Sequence, residues 1–249
     1  MTRLTLLGSG GWIPTSARAT CCAVARRDDY ALIIDAGTGL ARIREMPELL
    51  GGVREIDLVL THFHLDHVIG LGCLPGLNMP TTPRIHGPGS WLYGIDTETL
   101  LRRLCDPPLF PAGLEGITSG VQELDPDDAA FGPFNVSLRE QPLHSNPTAG
   151  IRVDNVFSYC TDTACDDGTV HFAAGSEVLL HDAWFTQDKP RDAGSHTGGA
   201  QAAELAQAAG VERLVLIHIN PSGNDDELLD EATAVFPQTE LGTDGMSIE

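Results

Sequence analysis

The stretch LVLTHFHLDHVIG, Leu58 to Gly70, sets His62, His64, Asp66 and His67 within six positions. Imidazole nitrogens and carboxylate oxygens are the donors that a borderline divalent ion such as zinc accepts. His62 and His64 stand two apart behind the apolar run Ile56 to Leu60, so in an extended chain both point the same way. Asp66 and His67 then fall in the first turn of a predicted helix, where the helix dipole favours a carboxylate. A single histidine at such a place is most often an ordinary loop residue, but four donors between a buried strand and a helix form a ligand set. Three further donors stand where apolar runs end: His144 in PLHSNPTAG, Asp162 in FSYCTDTA and His218 in LVLIHINP. Metal sites draw their ligands from strand ends of this kind.

The elements that must position these groups alternate strand and helix. LTLLGSGG reads as a strand entering a Gly-rich loop, and CCAVARRDDYALIIDAG as a hairpin turning at Arg27 to Asp29. Ile56 to Leu60 is a continuous apolar strand, the pattern of burial on both faces. Helix is predicted from Asp66 to Leu74, ended by Pro75, and from Ser90 to Leu104. Asp106 to Pro133 reads as a surface excursion around a strand at Val121 to Leu124. Strands follow at Asn135 to Pro142, Gly150 to Val153, Val156 to Thr161, Glu177 to His181 and RLVLIHI. Helices are predicted at Gly198 to Ala209 and Asp225 to Val235, with a short final strand. The mixture indicates a layered α/β architecture in one domain spanning residues 1–249, and periodicity leaves open whether two packed sheets or one doubly wound sheet form it.

Composition narrows the partners. Thirty-five acidic residues face fifteen basic ones, for a formal charge of −20, and Lys189 is the sole lysine. Such a field repels polyanions, so a long nucleic acid held through many phosphates is disfavoured. The six cysteines are scattered without a CxxC pair and read as free thiols. Thr2 to Leu7 reads as a strand rather than the basic region of a secretory leader, and no apolar stretch is long enough to span a bilayer. The expectation is a soluble, cytoplasmic protein with no membrane partner.

THFHLDH, followed in order by His144, Asp162 and His218, resembles the metallo-β-lactamase-fold hydrolases that hold two metals, over nearly the whole chain. The resemblance implies a four-layer αββα sandwich with the site at one edge of the paired sheets. It implies that His62, His64 and His144 bind one metal, that Asp66, His67 and His218 bind the second, and that Asp162 bridges both. Two Zn2+ ions are expected, with Mn2+ or Fe2+ as alternatives. Ions about 3.5–4 Å apart can hold a hydroxide nucleophile between them, which Asp66 would also orient.

Within that family the opening LLGSGGWIPT, the stretch HSNPTAGIRV, and LLHDAWF with GSHTGGAQAAELA are most similar to the ribonuclease Z and phosphodiesterase branch. That branch implies a catalytic histidine, matched by His196, with an acidic partner, matched by Asp182. An imidazolium held by a carboxylate can protonate the alkoxide that a phosphodiester expels. Two departures bear on the substrate. Transfer-RNA processors of the family carry a long arm between the third histidine and the bridging aspartate, whereas 17 residues separate His144 from Asp162 here. They also carry Arg and Tyr after the last ligand, where this chain has NPSGNDD. The expected substrate is a small anionic phosphodiester, a cyclic nucleotide or similar. The alternatives are an acyl hydrolase acting on a lactone, thioester or β-lactam, a ribonuclease Z-type endonuclease without the arm, and a metal-dependent binding protein without turnover. Relatives are commonly dimers, so a homodimer is the assembly the resemblance offers. His86, His171 and His181 match no ligand position and read as structural, while Gly8 to Gly11 reads either as a phosphate loop or as a tight turn bordering the metal cleft.

Overall fold

The computed structural model describes residues 2–127, 129–189 and 192–248. Contacts divide the chain into two compact units, Met1–Ser9 with Ser16–Pro133 and Thr243–Glu249, and Gly10–Thr15 with Phe134–Gly242.

The first unit is built on strands β1 (Arg3–Gly8), β2 (Cys22–Arg27), β3 (Tyr30–Ile34), β4 (Glu55–Val59), β5 (Arg84–Gly87) and β6 (Gly120–Glu123), with a two-residue strand β7 at Ala130–Phe131. β2 and β3 form the expected hairpin around Asp28, whose positive φ of 53° suits the turn. From β3 onward the neighbours are parallel, and β3 and β4 are buried along nearly their whole length, although the Ile56 to Leu60 run read as continuously apolar contains Asp57. Helices α1 (Leu65–Val68) and α2 (Thr97–Cys105) belong to this unit, together with 3-10 turns that include Thr38–Arg44, Pro47–Leu50 and Ile69–Gly76. Ile33, Ile56, Leu58, Leu71, Leu74 and Leu101 join one core beneath them.

Both helix boundaries read from the sequence in this unit shift. The helix expected over Asp66 to Leu74 is one α-turn that continues as 3-10 helix, with Pro75 inside it, because glycines and proline make poor α-helix. The helix expected from Ser90 divides at Gly94, which has a φ of 65°, and α2 starts afresh where the Asp96 carboxylate accepts from Thr99 N.

The second unit carries β8 (Phe134–Gln141), β9 (Thr148–Val153), β10 (Phe157–Cys160), β11 (Val178–Asp182), β12 (Arg213–Ile217) and β13 (Thr239–Leu241). β8, β9 and β10 are antiparallel neighbours, and β10 to β13 run parallel. Helices α3 (Gly168–Ala173), α4 (Gly199–Ala209) and α5 (Asp225–Val235) belong here, and Leu179, Leu214, Leu216, Ala203, Ala206 and Leu228 share its core. α4 is an alanine-rich helix that buries its small residues and ends at Gly210 in the left-handed conformation. The chain then returns to the first unit, where β14 (Met246–Ile248) pairs with β1. Among the described residues no helix is long and apolar enough to cross a membrane, and all six cysteines are free.

A buried carboxylate ties the first sheet laterally. Asp57 on β4 accepts from Arg84 at 2.8 and 2.9 Å, lies 2.7 Å from His86 Nε2, and also accepts from the Tyr30 hydroxyl. Burial raises the carboxyl's affinity for a proton, but the hydrogen bonds from Arg84 and His86 outweigh it and hold Asp57 below the ordinary carboxylate value. A depressed carboxylate stabilises the fold above its unfolded value, and that contribution disappears as pH falls through the folded value. Asp57→Asn should therefore cost about 1.5–3 kcal/mol at neutral pH. In urea melts between neutral and acid pH the gap to wild type should close on acidification, and a gap independent of pH would contradict this account.

Candidate metal centre

In the first unit the donors are placed by the ends of β3 and β4. β3 runs out at Asp35, a fully buried carboxylate on left-handed backbone with a φ of 60°. It accepts from Thr61 N at 2.8 Å and from Thr61 Oγ1 at 2.9 Å, and lies 2.9 Å from His67 Nδ1. Thr61 Oγ1 is in turn 3.0 Å from His62 Nδ1. The loop after Asp35 grips α1 from below: Ala36 N donates to His67 O and Gly70 N donates to Ala36 O. The approach is so close that a Cβ at Gly70 would lie 2.1 Å from Gly37 O. The His62 ring is consequently centred 4.4 Å from that of His64 and 4.2 Å from that of His67, and Asp66 Oδ2 lies 3.5 Å from His67 Nε2. His62 and His67 are buried, while His64 and Asp66 are half-buried.

The second unit gathers its donors at the ends of β8, β10, β11 and β12. His144 lies in the turn after β8, its Nδ1 2.8 Å from Ser195 O and its Nε2 3.5 Å from Asp162 Oδ1. His218 Nε2 lies 3.2 Å from the same oxygen. Asp162 and His218 have φ angles of 52° and 55°, left-handed values that bulky residues hold only where the surroundings enforce them. Asp162, His196 and His218 each present one ligand atom within 4.8 Å of the others. His196 Nδ1 is 2.8 Å from Asp182 Oδ2, and the Trp184 ring stacks on His196 at 4.6 Å and on His218 at 5.2 Å. Burial alone would lower the basicity of His196, but the charge and hydrogen bond of Asp182, with the charges of Asp162 and Asp192, push it up to about 9. His181, one residue before Asp182, shows the opposite balance. It is fully enclosed on β11 with Nδ1 2.9 Å from Asp182 O, and burial lowers its pKa.

Gly11 belongs to this second half. A Cβ there would sit 2.4 Å from the His218 ring, so the Gly-rich loop is a close approach of bare backbone to that histidine.

The first unit therefore brings together His62, His64, Asp66 and His67, and the second brings together His144, Asp162, Asp182, His196 and His218. Sequence reasoning missed Asp35, Thr61 and Trp184. Asp35 had a faint signal, a carboxylate directly behind the buried run ALII, and Trp184 lay inside LLHDAWF without a role. Of the three histidines read as structural, His86 holds Asp57 and His181 is sealed in the second sheet.

The beta-lactamase superfamily domain matches residues 30–219. A ribonuclease Z of Natronomonas pharaonis is 27% identical over 291 aligned positions, which cover 94% of this chain and 92% of that protein. Among solved structures, the metallo-beta-lactamase fold protein YhfI from Bacillus subtilis superposes with a TM-score of 0.81 at 21% identity, covering 99% of this chain and 98% of the other. A diphosphatase from the PhnP family gives a TM-score of 0.71 at 19% identity, covering 100% and 98%. These likenesses establish the metallo-β-lactamase fold, and each unit supplies one mixed sheet with its helices, the halves of which an αββα sandwich is made.

Proposed function

Since the chain belongs to the beta-lactamase superfamily, we propose that it is a dinuclear-metal phosphodiesterase, one hydrolase domain over residues 1–249 that acts in the cytoplasm on a small phosphodiester such as a cyclic nucleotide. The assignment gives His62, His64 and His144 to one metal, Asp66, His67 and His218 to the other, and Asp162 to both. The donor chemistry fits divalent ions. Three imidazoles are fixed through Nδ1, His62 by Thr61, His67 by Asp35 and His144 by the Ser195 carbonyl, which leaves Nε2 as the ligating nitrogen. Bound zinc, or manganese or iron, would supply Lewis acidity and bring the ionisation of a water near neutral pH.

The observation that carries the phosphodiesterase reading is the pair His196 and Asp182, 2.8 Å apart and backed by Trp184 beside Asp162 and His218. With Nδ1 donating to Asp182, Nε2 is the nitrogen that serves a substrate. Water attacks phosphorus and sheds a proton to solvent, the bond to the leaving oxygen breaks, and the Nε2 proton of the imidazolium passes to that oxygen, so an alcohol departs rather than an alkoxide and solvent restores the imidazolium. Asp66 is assigned to orient the attacking water.

Assay of the metal-loaded protein on bis(p-nitrophenyl) phosphate, beside a thioester and a lactone, tests this. Diester turnover is expected, and turnover of acyl substrates alone would instead favour the acyl hydrolase. Binding of a metabolite without turnover of any ester would favour the sensing protein. A second reading, transfer-RNA 3′ processing, is favoured by the ribonuclease Z that matches this chain nearly end to end. The net charge of −20 argues against it, as does the tight turn at Asp154 between β9 and β10, where the chain crosses from His144 to Asp162 without an arm. Cleavage of a precursor transfer RNA at rates above those on small diesters would establish that reading instead.

A further inference from the structure

Directly after Gly11 the chain makes a turn of three residues. Ile13 N donates to Gly11 O at 2.8 Å, with Trp12 at the apex and a φ of 61°. A γ-turn of this sign is rare and strained, and for a bulky residue the positive φ is an outlier. The turn is anchored on the ligand strand, because Gly11 N donates to Ile219 O at 3.1 Å and Gly10 bridges to Ile219, next to His218. The anchoring brings the Gly11 backbone against the His218 ring, which also stacks on Trp184 and His196. Trp12 itself is 64% exposed and Ile13 48% exposed. Backbone held at a strained positive φ recurs at ligand clamps, and here it carries a large, mostly exposed aromatic on a turn anchored beside His218.

We propose that Trp12 is a substrate-contact residue that stacks on a planar ring of the phosphodiester, a nucleobase or an aryl group. The inference rests on the reading of the adjacent site as a phosphodiesterase. Stacking suits this protein, since a neutral aromatic face can grip a ring where a net charge of −20 would repel extra phosphates. Every base offers a π-face, so the contact selects for a ring without selecting which one.

The test uses two esters that release the same nitrophenol, thymidine 5′-(p-nitrophenyl phosphate) and methyl p-nitrophenyl phosphate. Trp12→Ala should lower kcat/KM for the thymidine ester about tenfold more than for the methyl ester, mainly through KM, and Trp12→Phe should restore most of the difference. Trp12→Gly should lose the same discrimination with Tm at or above the wild-type value, because glycine accepts the positive φ. Equal losses on both esters, or none, would overturn the proposal. If the wild type hydrolyses neither ester, the phosphodiesterase reading fails by itself. Calorimetric binding of thymidine 5′-monophosphate to the metal-loaded wild type and Trp12→Ala then decides the question. Weaker binding to the variant upholds the contact; equal or absent binding to both refutes it.

Discussion

His196→Ala is expected to slow hydrolysis of diesters with poor leaving groups by about 10²–10⁴-fold, the usual share of a positioned general acid. Nitrophenyl esters should slow far less, because nitrophenolate departs without a proton. Elemental analysis should find the metal content unchanged. The last measurement is needed because His196 lies within 4.8 Å of donor atoms of Asp162 and His218 and could be drawn into the ligand set. Its Nδ1 already donates to Asp182, and its ring is flanked by Trp184 at 4.6 Å, an arrangement that holds an acid in position. Loss of an ion in the variant would make His196 a ligand, and equal slowing of both ester classes would remove the acid from the mechanism.

Asp35→Asn is expected to weaken metal binding about 10- to 100-fold, the range seen when the carboxylate behind a ligating histidine is changed. Asp35 touches both the His67 imidazole and the Thr61 hydroxyl that reaches His62, so one substitution loosens two imidazoles of the proposed ligand set together. Asparagine keeps the volume and tolerates a φ of 60°, which leaves the packing of the β3 end in place. Competition with a chromophoric chelator reads the affinity, and activity should recover in excess metal. An unchanged affinity would reduce Asp35 to a purely structural group.

These two residues mark how much could be read without coordinates. The clustering of His62, His64, Asp66 and His67 was legible because their spacing is local, so a strand end and one helical turn fix where they stand. His144, Asp162 and His218 were legible as strand-end donors, but their grouping came only through the family resemblance, since no short-range pattern links them. Asp35 was lost because its partners Thr61 and His67 lie 26 and 32 residues away, and an aspartate behind an apolar strand looks like any turn residue. Left-handed backbone at Asp35, Asp162 and His218 leaves no trace in composition at all. The helix expected from Ser90 failed for a reason that was present, Gly94 followed by the capping residue Asp96, which apolar periodicity overrode. β5 was overlooked because it spans only Arg84–Gly87, and α3 because it opens on glycine among acidic turn residues.

The hairpin of β9 and β10 ends in a tight bend at Asp154, fastened to Asn135 by a pair of hydrogen bonds from its backbone and side chain. His144 and Asp162 stand at the opposite end of that ribbon, beyond the start of β9 and the finish of β10. Polypeptide spliced into the bend would prolong two strands already in register and emerge away from His144 and Asp162. A module grafted at this bend would lengthen the reach of the scaffold independently of the side chains gathered at the other end of the ribbon.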